Sequence, residues 1–179
     1  MDIKTFRPLR ALMLVQRDTP DESKGGIFIP DMIQTYGWRA TVETVGKDAG
    51  DYKKGDVILY QKEYTVLPFA DRTYAITDAK HVLAKINVVG VIERIMPQNE
   101  FVLVMPTEDN DTKSDIFLTD KTKANEPIVC GYVVRCGSKC EDFASCETVW
   151  FHQKAGITCV EDDQIHKLVN AKDVLCKKT

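Results

Sequence analysis

The chain has 179 residues, of which 44% are hydrophobic and 28% are charged, and its formal net charge is −3. This apolar content is sufficient for a buried core and excludes an intrinsically disordered chain. The low net charge and the scattered basic residues argue against a nucleic-acid coat protein and against a binder of anionic membranes. The length alone falls between one domain and two.

We expect no signal or transit peptide, because the first residues of the given sequence show neither a basic region followed by an apolar run nor an Arg/Ser-rich leader. The longest apolar stretch, residues 86–92, is far shorter than the roughly 18 residues that a membrane span needs. We therefore expect a cytoplasmic protein.

Short runs rich in β-branched residues, bounded by Gly, Pro or charged clusters, predict strands. In chain order these runs occupy residues 11–15, 40–45, 56–60, 101–105 and 132–135. Only two places, near residues 78–80 and 170–172, suggest a turn of helix. Many short strands at nearly even spacing predict an all-β barrel or sandwich.

The second half of the chain repeats the first at a shift of 89 residues, which carries Pro8 onto Pro97. The shift then drifts by two or three residues, as changes in loop length would cause, so that residues 78–85 match residues 170–177. Matches in this order are hard to attribute to chance. We predict one domain over residues 1–86, a short linker at residues 87–89 and a second, more divergent domain over residues 90–179.

The repeat unit resembles the GroES family of co-chaperonins over essentially the whole chain, twice. In the first half the likeness rests on the order and spacing of Arg7-Pro8-Leu9, residues 24–30 (Lys-Gly-Gly-Ile-Phe-Ile-Pro), residues 42–46, residues 54–57 (Lys-Gly-Asp-Val) and residues 82–86. The resemblance implies an all-β fold of two tandem GroES-like antiparallel β-barrels. It also implies a co-chaperonin with no covalent chemistry of its own.

Each half carries an apolar triplet in a polar loop. Read alone, Ile27-Phe28-Ile29 has the composition of a buried strand. However, a charged segment at residues 17–22 and two glycines precede it, and Pro30 would weaken pairing in a central strand. An apolar triplet on such a tether suits a segment that becomes ordered in a groove on a partner.

The resemblance implies that this segment is the mobile loop, which docks on the apical domains of an ATP-bound GroEL-type chaperonin. The predicted chaperonin-binding residues are Gly25, Gly26, Ile27, Phe28, Ile29, Pro30, Ile116, Phe117 and Leu118. In the second loop Ser114-Asp115 and Thr119 replace the Gly-Gly and Pro frame, and a charge beside the anchor residues is costly to bury. We therefore expect the first loop to bind more strongly.

The resemblance further implies a homo-oligomeric ring that forms the lid of a folding chamber. Such a lid needs no cofactor, because the chaperonin binds the ATP, and no nucleic-acid or membrane partner is expected. Family members commonly carry a roof hairpin where this chain has only residues 47–51 and 138–142 with a few neighbours. The ring should therefore be open at the top, as in the co-chaperonin of T4-type phages, while the fusion is similar to the plastid co-chaperonin. Without a leader we favour a viral or bacterial source, and host cytoplasm if viral.

Two other functions were weighed against a lid. Zinc alcohol dehydrogenases also contain a GroES-like domain, but no strand here is followed by G-x-G-x-x-G, so neither a catalytic site nor a nucleotide site is predicted. The second alternative is a viral protein that occupies a host chaperonin without productive folding.

The cysteines all lie in the second half, at positions Cys130, Cys136, Cys140, Cys146, Cys159 and Cys176. They lack the C-x2-C spacing of a zinc knuckle, so we predict no metal site. We expect reduced thiols that act as small core residues.

Overall fold

The computed structural model describes residues 6–18, 38–69, 72–89, 92–107, 127–162 and 164–178. Within these residues the chain is all-β, as predicted. The strands are β1 (Leu12–Arg17), β2 (Trp38–Val45), β3 (Val57–Tyr60), β4 (Glu63–Phe69), β5 (Arg72–Asp78), β6 (Val82–Val89), β7 (Ile92–Pro97), β8 (Phe101–Pro106), β9 (Ile128–Cys136), β10 (Thr148–His152), β11 (Ile157–Glu161), β12 (Gln164–Asn170) and β13 (Val174–Lys177).

The strands form one seven-stranded sheet, in the order β4-β5-β1-β2-β3-β6-β7, and one six-stranded sheet, in the order β11-β12-β8-β9-β10-β13. In the second sheet β8 to β13 take the places of β1 to β6. The predicted tandem repeat is therefore present in the order of the strands as well as in the sequence. The chain divides into two compact units, Met1–Ile95 and Met96–Thr179.

Local irregularities recur at matching positions in the two sheets. The pairing of β1 with β2 shifts register between Leu14 and Val15, and the pairing of β8 with β9 shifts between Leu103 and Val104. Both pairs of residues are related by 89 positions. The same irregularity of strand pairing therefore occurs in both copies.

The two predicted helical turns are single turns of 3-10 helix, Ala79–His81 and Ala171–Asp173. The side chains of Asp78 and Asn170 accept hydrogen bonds from the backbone N–H groups of Lys80 and Lys172, at 3.0 and 3.2 Å. These caps satisfy N–H groups that the short helices would otherwise leave unpaired.

The boundary between the repeats differs from our expectation. Residues 87–89, expected to be a linker, lie in β6, and β7 follows as its neighbour at the edge of the first sheet. An apolar run satisfies its backbone groups better in a sheet than in an exposed connection. Ile95 on β7 is correspondingly buried, with 4% of its surface exposed.

Each sheet has its own apolar core. The first core comprises Met13, Val15, Ala40, Val42, Ala49, Ile58, Tyr60, Ala75 and Val82. The second comprises Val102, Val104, Val133, Cys140, Val149, Phe151 and Val169. Both are dominated by inward-facing residues of the central strands, so each repeat buries a core of its own.

The expectation of core thiols is correct for Cys140, which is buried, and wrong for Cys146 and Cys176, which are exposed. Among the described residues no group of three or more His, Cys, Asp and Glu side chains is placed to hold a metal ion. No helix in the same part of the chain is long and apolar enough to cross a membrane.

Candidate functional site

All the predicted binding residues lie outside the described residues, within residues 19–37 and 108–126. The structure describes the points at which these two segments leave and rejoin the sheets. We call Arg17, Asp18, Trp38 and Arg39 the first base, and Pro106, Thr107, Val129 and Cys130 the second base.

The two bases close in the same way. The backbone N–H of Asp18 donates to the carbonyl of Arg39 at 3.1 Å, and the N–H of Thr107 donates to the carbonyl of Cys130 at 3.0 Å. Arg17 belongs to β1 and Asp18 is bonded to β2, so the charged segment that we assigned to the tether begins inside the sheet. Each segment therefore starts and ends at adjacent positions on neighbouring strands.

Aromatic and charged side chains brace the first base. The Arg17 guanidinium lies 4.7 Å from the centre of the Trp38 ring, which in turn lies 5.7 Å from the ring of Tyr60. The Tyr60 hydroxyl donates to Glu63 at 3.1 Å, and Glu63 lies 3.7 Å from Arg17 Nε. Burial, followed by the Glu63 charge, raises the pKa of Tyr60, so the phenol remains a neutral donor. This arrangement fixes the strand ends from which the first segment departs.

Arg39 joins the first base to β7. Its Nη1 and Nη2 atoms each donate to a carboxylate oxygen of Glu93 at 2.6 Å, and its Nε lies 2.8 Å from Asp18. The hydrogen bond from Arg39 lowers the pKa of Glu93. A bidentate pair of this kind fixes orientation as well as distance.

The second base has no such brace among its described residues. Pro106, Val129 and Cys130 stand where the first base has Arg17, Trp38 and Arg39, and Phe151 stands in the place of Tyr60. The Thr107 hydroxyl adds a bond to the Cys130 carbonyl at 3.2 Å. The second segment therefore leaves from an apolar and uncharged frame.

The connections between β2 and β3 and between β9 and β10 are short. Residues 46–56 and 137–147, all of them described, contain turns and no strand. Lys85 contacts the first connection through an ion pair and a cation–π contact: its Nζ lies 3.3 Å from Asp56 and 4.5 Å from the centre of the Tyr52 ring. Lys177 repeats this contact with Glu147, at 3.4 Å, and with the Phe143 ring, at 5.8 Å. The chain therefore has no hairpin at the place where a roof would stand.

Strands β6 and β13 differ in exposure although their sequences match. Leu83 on β6 is 2% exposed, whereas its counterpart Leu175 on β13 is 46% exposed. Ala84 is fully buried, whereas its counterpart Cys176 is exposed. Strand β7 lies beside β6, while β13 ends its sheet. Among the described residues, the edge of β6 is therefore covered and the edge of β13 is open.

An open groove of about 390 Å³ runs beside β13. It is lined by Asp142, Phe143, Ala171, Lys172, Val174, Cys176 and Lys177. The groove mixes apolar side chains with one aspartate and two lysines.

Sequence reasoning missed the brace of the first base and the Arg39–Glu93 pair. A weak signal for the brace exists in the sequence: Trp38-Arg39, an aromatic and a basic residue, directly follows a long polar loop. Arg39 and Glu93 are 54 positions apart, and no local pattern connects them.

The family model for the chaperonin 10 kDa subunit matches this chain twice, over residues 5–86 and 94–178. The co-chaperonin GroES of Thermodesulfovibrio yellowstonii is 24% identical over 92 residues, which cover 50% of this chain and 98% of that protein. These matches agree with the repeated sheet and confirm the resemblance seen in the sequence. The chain therefore belongs to the chaperonin 10 kDa subunit family, carries the family domain twice in tandem, and has a non-enzymatic co-chaperonin role.

Proposed function

We propose that the chain assembles into a ring that binds an ATP-loaded GroEL-type chaperonin through mobile loops at both bases and encloses a substrate protein. The observation that carries this proposal is the open edge of β13, whose counterpart β6 is covered within the same chain. The protein itself would bind no cofactor, because the nucleotide belongs to its partner. It would act in the cytoplasm of its cell or host.

The occupant proposed for the β13 edge is the N-terminal segment of a second copy. The shift of 89 residues that relates β8 to β1 also carries Ile95 and Pro97 of β7 onto Phe6 and Pro8. An unpaired strand edge carries free N–H and C=O groups and favours the addition of another strand. Head-to-tail addition of this kind gives a ring when the rotation closes.

Two segments per chain at equivalent bases support binding through many weak contacts. Ordering a polar segment on a partner costs several kcal/mol, so one copy binds weakly. Once one segment of a ring has bound the chaperonin, the effective concentration of the remaining segments at their own sites rises. The apolar triplets at Ile27-Phe28-Ile29 and Ile116-Phe117-Leu118 would be seated in the apical domains of the chaperonin, the first more tightly. The short connections at residues 46–56 and 137–147 support a ring with an open top.

The test is co-elution with a GroEL-type chaperonin in size-exclusion chromatography, with and without ATP. Wild type should associate only with nucleotide; Ile27→Asp should lose most of this association and Ile116→Asp a smaller part. Val45→Asp is the matched control, because Val45 is 36% exposed and lies at the end of β2 opposite to the first base. Absence of nucleotide-dependent association in wild type would overturn the proposal.

A refolding assay with a substrate that requires the closed chamber tests the productive role. Wild type should raise the yield of native substrate in the presence of chaperonin and ATP. Association without any rise in yield would identify a protein that occupies the chaperonin without assisting it.

A further inference from the structure

The brace of the first base is a closed circuit of four side chains. Contacts lead from Arg17 to Trp38, from Trp38 to Tyr60, from Tyr60 to Glu63 and from Glu63 back to Arg17. The side chains of Arg17 and Glu63 are only 22% and 15% exposed, and Tyr60 is fully buried. Because each member is held by two others, and because the charge pair is shielded from solvent, the circuit resists movement of any one strand end.

The circuit joins strands that are far apart in the first sheet. Its four residues lie on β1, β2, β3 and β4 in turn, and β5, β1 and β2 separate β4 from β3 in the strand order. The turn at residues 61–62 connects β3 directly to β4, and the carbonyl of Lys62 accepts a hydrogen bond from the Thr77 hydroxyl on β5 at 2.5 Å. The first base is therefore tied to this anchored turn as well as to its own two strands.

The second base cannot form the same circuit. Val129 pairs with Phe151 as Trp38 pairs with Tyr60, and Pro106 stands where β1 has Arg17. Proline and valine offer neither a charge nor an aromatic ring, and phenylalanine lacks the hydroxyl that reaches a carboxylate.

The second repeat holds its corresponding turn from another strand. The Lys167 ammonium on β12 donates to the backbone carbonyls of Gln153 and Ala155, at 3.2 Å for Ala155. These two carbonyls lie in the connection between β10 and β11, which takes the place of residues 61–62. The Lys167 contact thus ties that turn to β12 rather than to the second base.

We propose that Arg17, Trp38, Tyr60 and Glu63 are positioning residues for chaperonin binding, which hold the ends of β1 and β2 in one orientation and so strengthen binding by the first segment. This inference rests on the proposed function. A segment whose two ends are already fixed loses less conformational freedom when it binds. The circuit therefore raises the affinity of the first segment without touching the chaperonin.

The experiment measures the dissociation constant for a GroEL-type chaperonin with ATP, in full-length chains that carry Ile116→Asp, so that the first segment dominates binding. Trp38→Val, which supplies the residue found in the second base, should raise this constant about fivefold, the factor that corresponds to ordering about one further residue. Trp38→Phe keeps a ring for the Arg17 guanidinium and should recover most of the affinity. Tyr60→Phe, which removes only the bond to Glu63, should have a smaller effect.

Val42→Ala is the matched control, because Val42 is fully buried on the same strand, β2, and takes no part in the circuit. It should lower the melting temperature and leave the dissociation constant unchanged. An equal rise of the constant in Val42→Ala and Trp38→Val, or no rise in Trp38→Val, would overturn the inference.

Amide hydrogen exchange of the free chain tests the circuit without the chaperonin. The N–H of Asp18, which donates to Arg39 at the first base, should exchange faster in Trp38→Val than in wild type. The N–H of Gly46, which donates to Leu12 at the other end of β1 and β2, should change little. Equal acceleration at both amides would indicate a general loss of stability and would overturn the inference. A wild type that does not associate with the chaperonin in the presence of ATP would instead overturn the proposed function.

Discussion

Truncating the matching leucines of β6 and β13 should separate folding from assembly. Leu83 is 2% exposed and Leu175 is 46% exposed, although they occupy equivalent positions. Leu83→Ala removes a side chain that is already buried in the single chain. Leu175→Ala removes one that is about half exposed in the single chain and that the proposed second copy would bury.

The sizes of the two effects follow from these exposures. A leucine-to-alanine change in a packed core costs about 2–5 kcal/mol, so Leu83→Ala should lower the melting temperature by about 10 °C or more. Complete burial of a leucine side chain contributes about 1.5–3 kcal/mol, and about half of that remains available at Leu175, or about 1 kcal/mol. Leu175→Ala should therefore weaken each junction about fivefold and change the melting temperature of the monomer little.

Calorimetry of the dilute protein measures the first effect, and sedimentation velocity over a dilution series measures the second. The concentration at which the assembly dissociates should rise for Leu175→Ala. An unchanged dissociation concentration for Leu175→Ala would refute the assignment of β13 as the contact edge. Loss of assembly in Leu83→Ala without loss of thermal stability would refute it equally.

Three further predictions concern single groups. Cys146→Gly should raise the free energy of unfolding by about 1 kcal/mol, because Cys146 has a φ of +70°, which favours glycine. Gly55→Ala should lower the free energy of unfolding by a similar amount, because Gly55 has a φ of +90°. Urea unfolding measures both changes. The pKa of Glu93 lies below its ordinary value of 4.5, so the contribution of its carboxylate to the free energy of unfolding is present above pH 4.5 and is lost as the pH falls through the folded pKa. Hydrogen exchange in β7 should accelerate over that fall in wild type and not in Glu93→Gln. Iodoacetamide should modify Cys176 in the free chain and more slowly in the assembly, while Cys159 reacts slowly in both, because burial raises its pKa to about 12.

The fold was largely predictable because most of its signal is local. The β-branched runs at 11–15 and 101–105 became β1 and β8, and the matching turns near residues 78–80 and 170–172 became capped 3-10 turns. Because the sequence repeats, matching strands could be predicted separately from the two halves of the chain. A strand that is buried on one face and bounded by turn residues carries its own pattern.

The strands that local composition did not mark are β4 to β7 and β10 to β13, which include interior strands as well as the sheet edges. Strand β4 is largely exposed, and the buried residues of β5 (Tyr74, Ala75 and Thr77) do not follow an alternation of apolar and polar residues. The pairing of β7 beside β6 depends on contacts between residues far apart in sequence. The predicted binding residues, including Ile27 and Ile116, remain predictions, because they lie outside the described residues.

The two repeats differ most where they would meet partners, and this bears on the ranking of their binding segments. Core positions keep their apolar character, whereas Trp38 and Arg39 of the first base become Val129 and Cys130 in the second. A braced base limits the directions in which a segment can leave the sheet, so less freedom is lost when that segment binds. The acidic residue at Asp115, beside the second triplet, adds a desolvation cost that Gly26 does not. Both effects act in the same direction, so the loss of chaperonin binding in Ile27→Asp should exceed that in Ile116→Asp even though both segments are presented equally often on one ring.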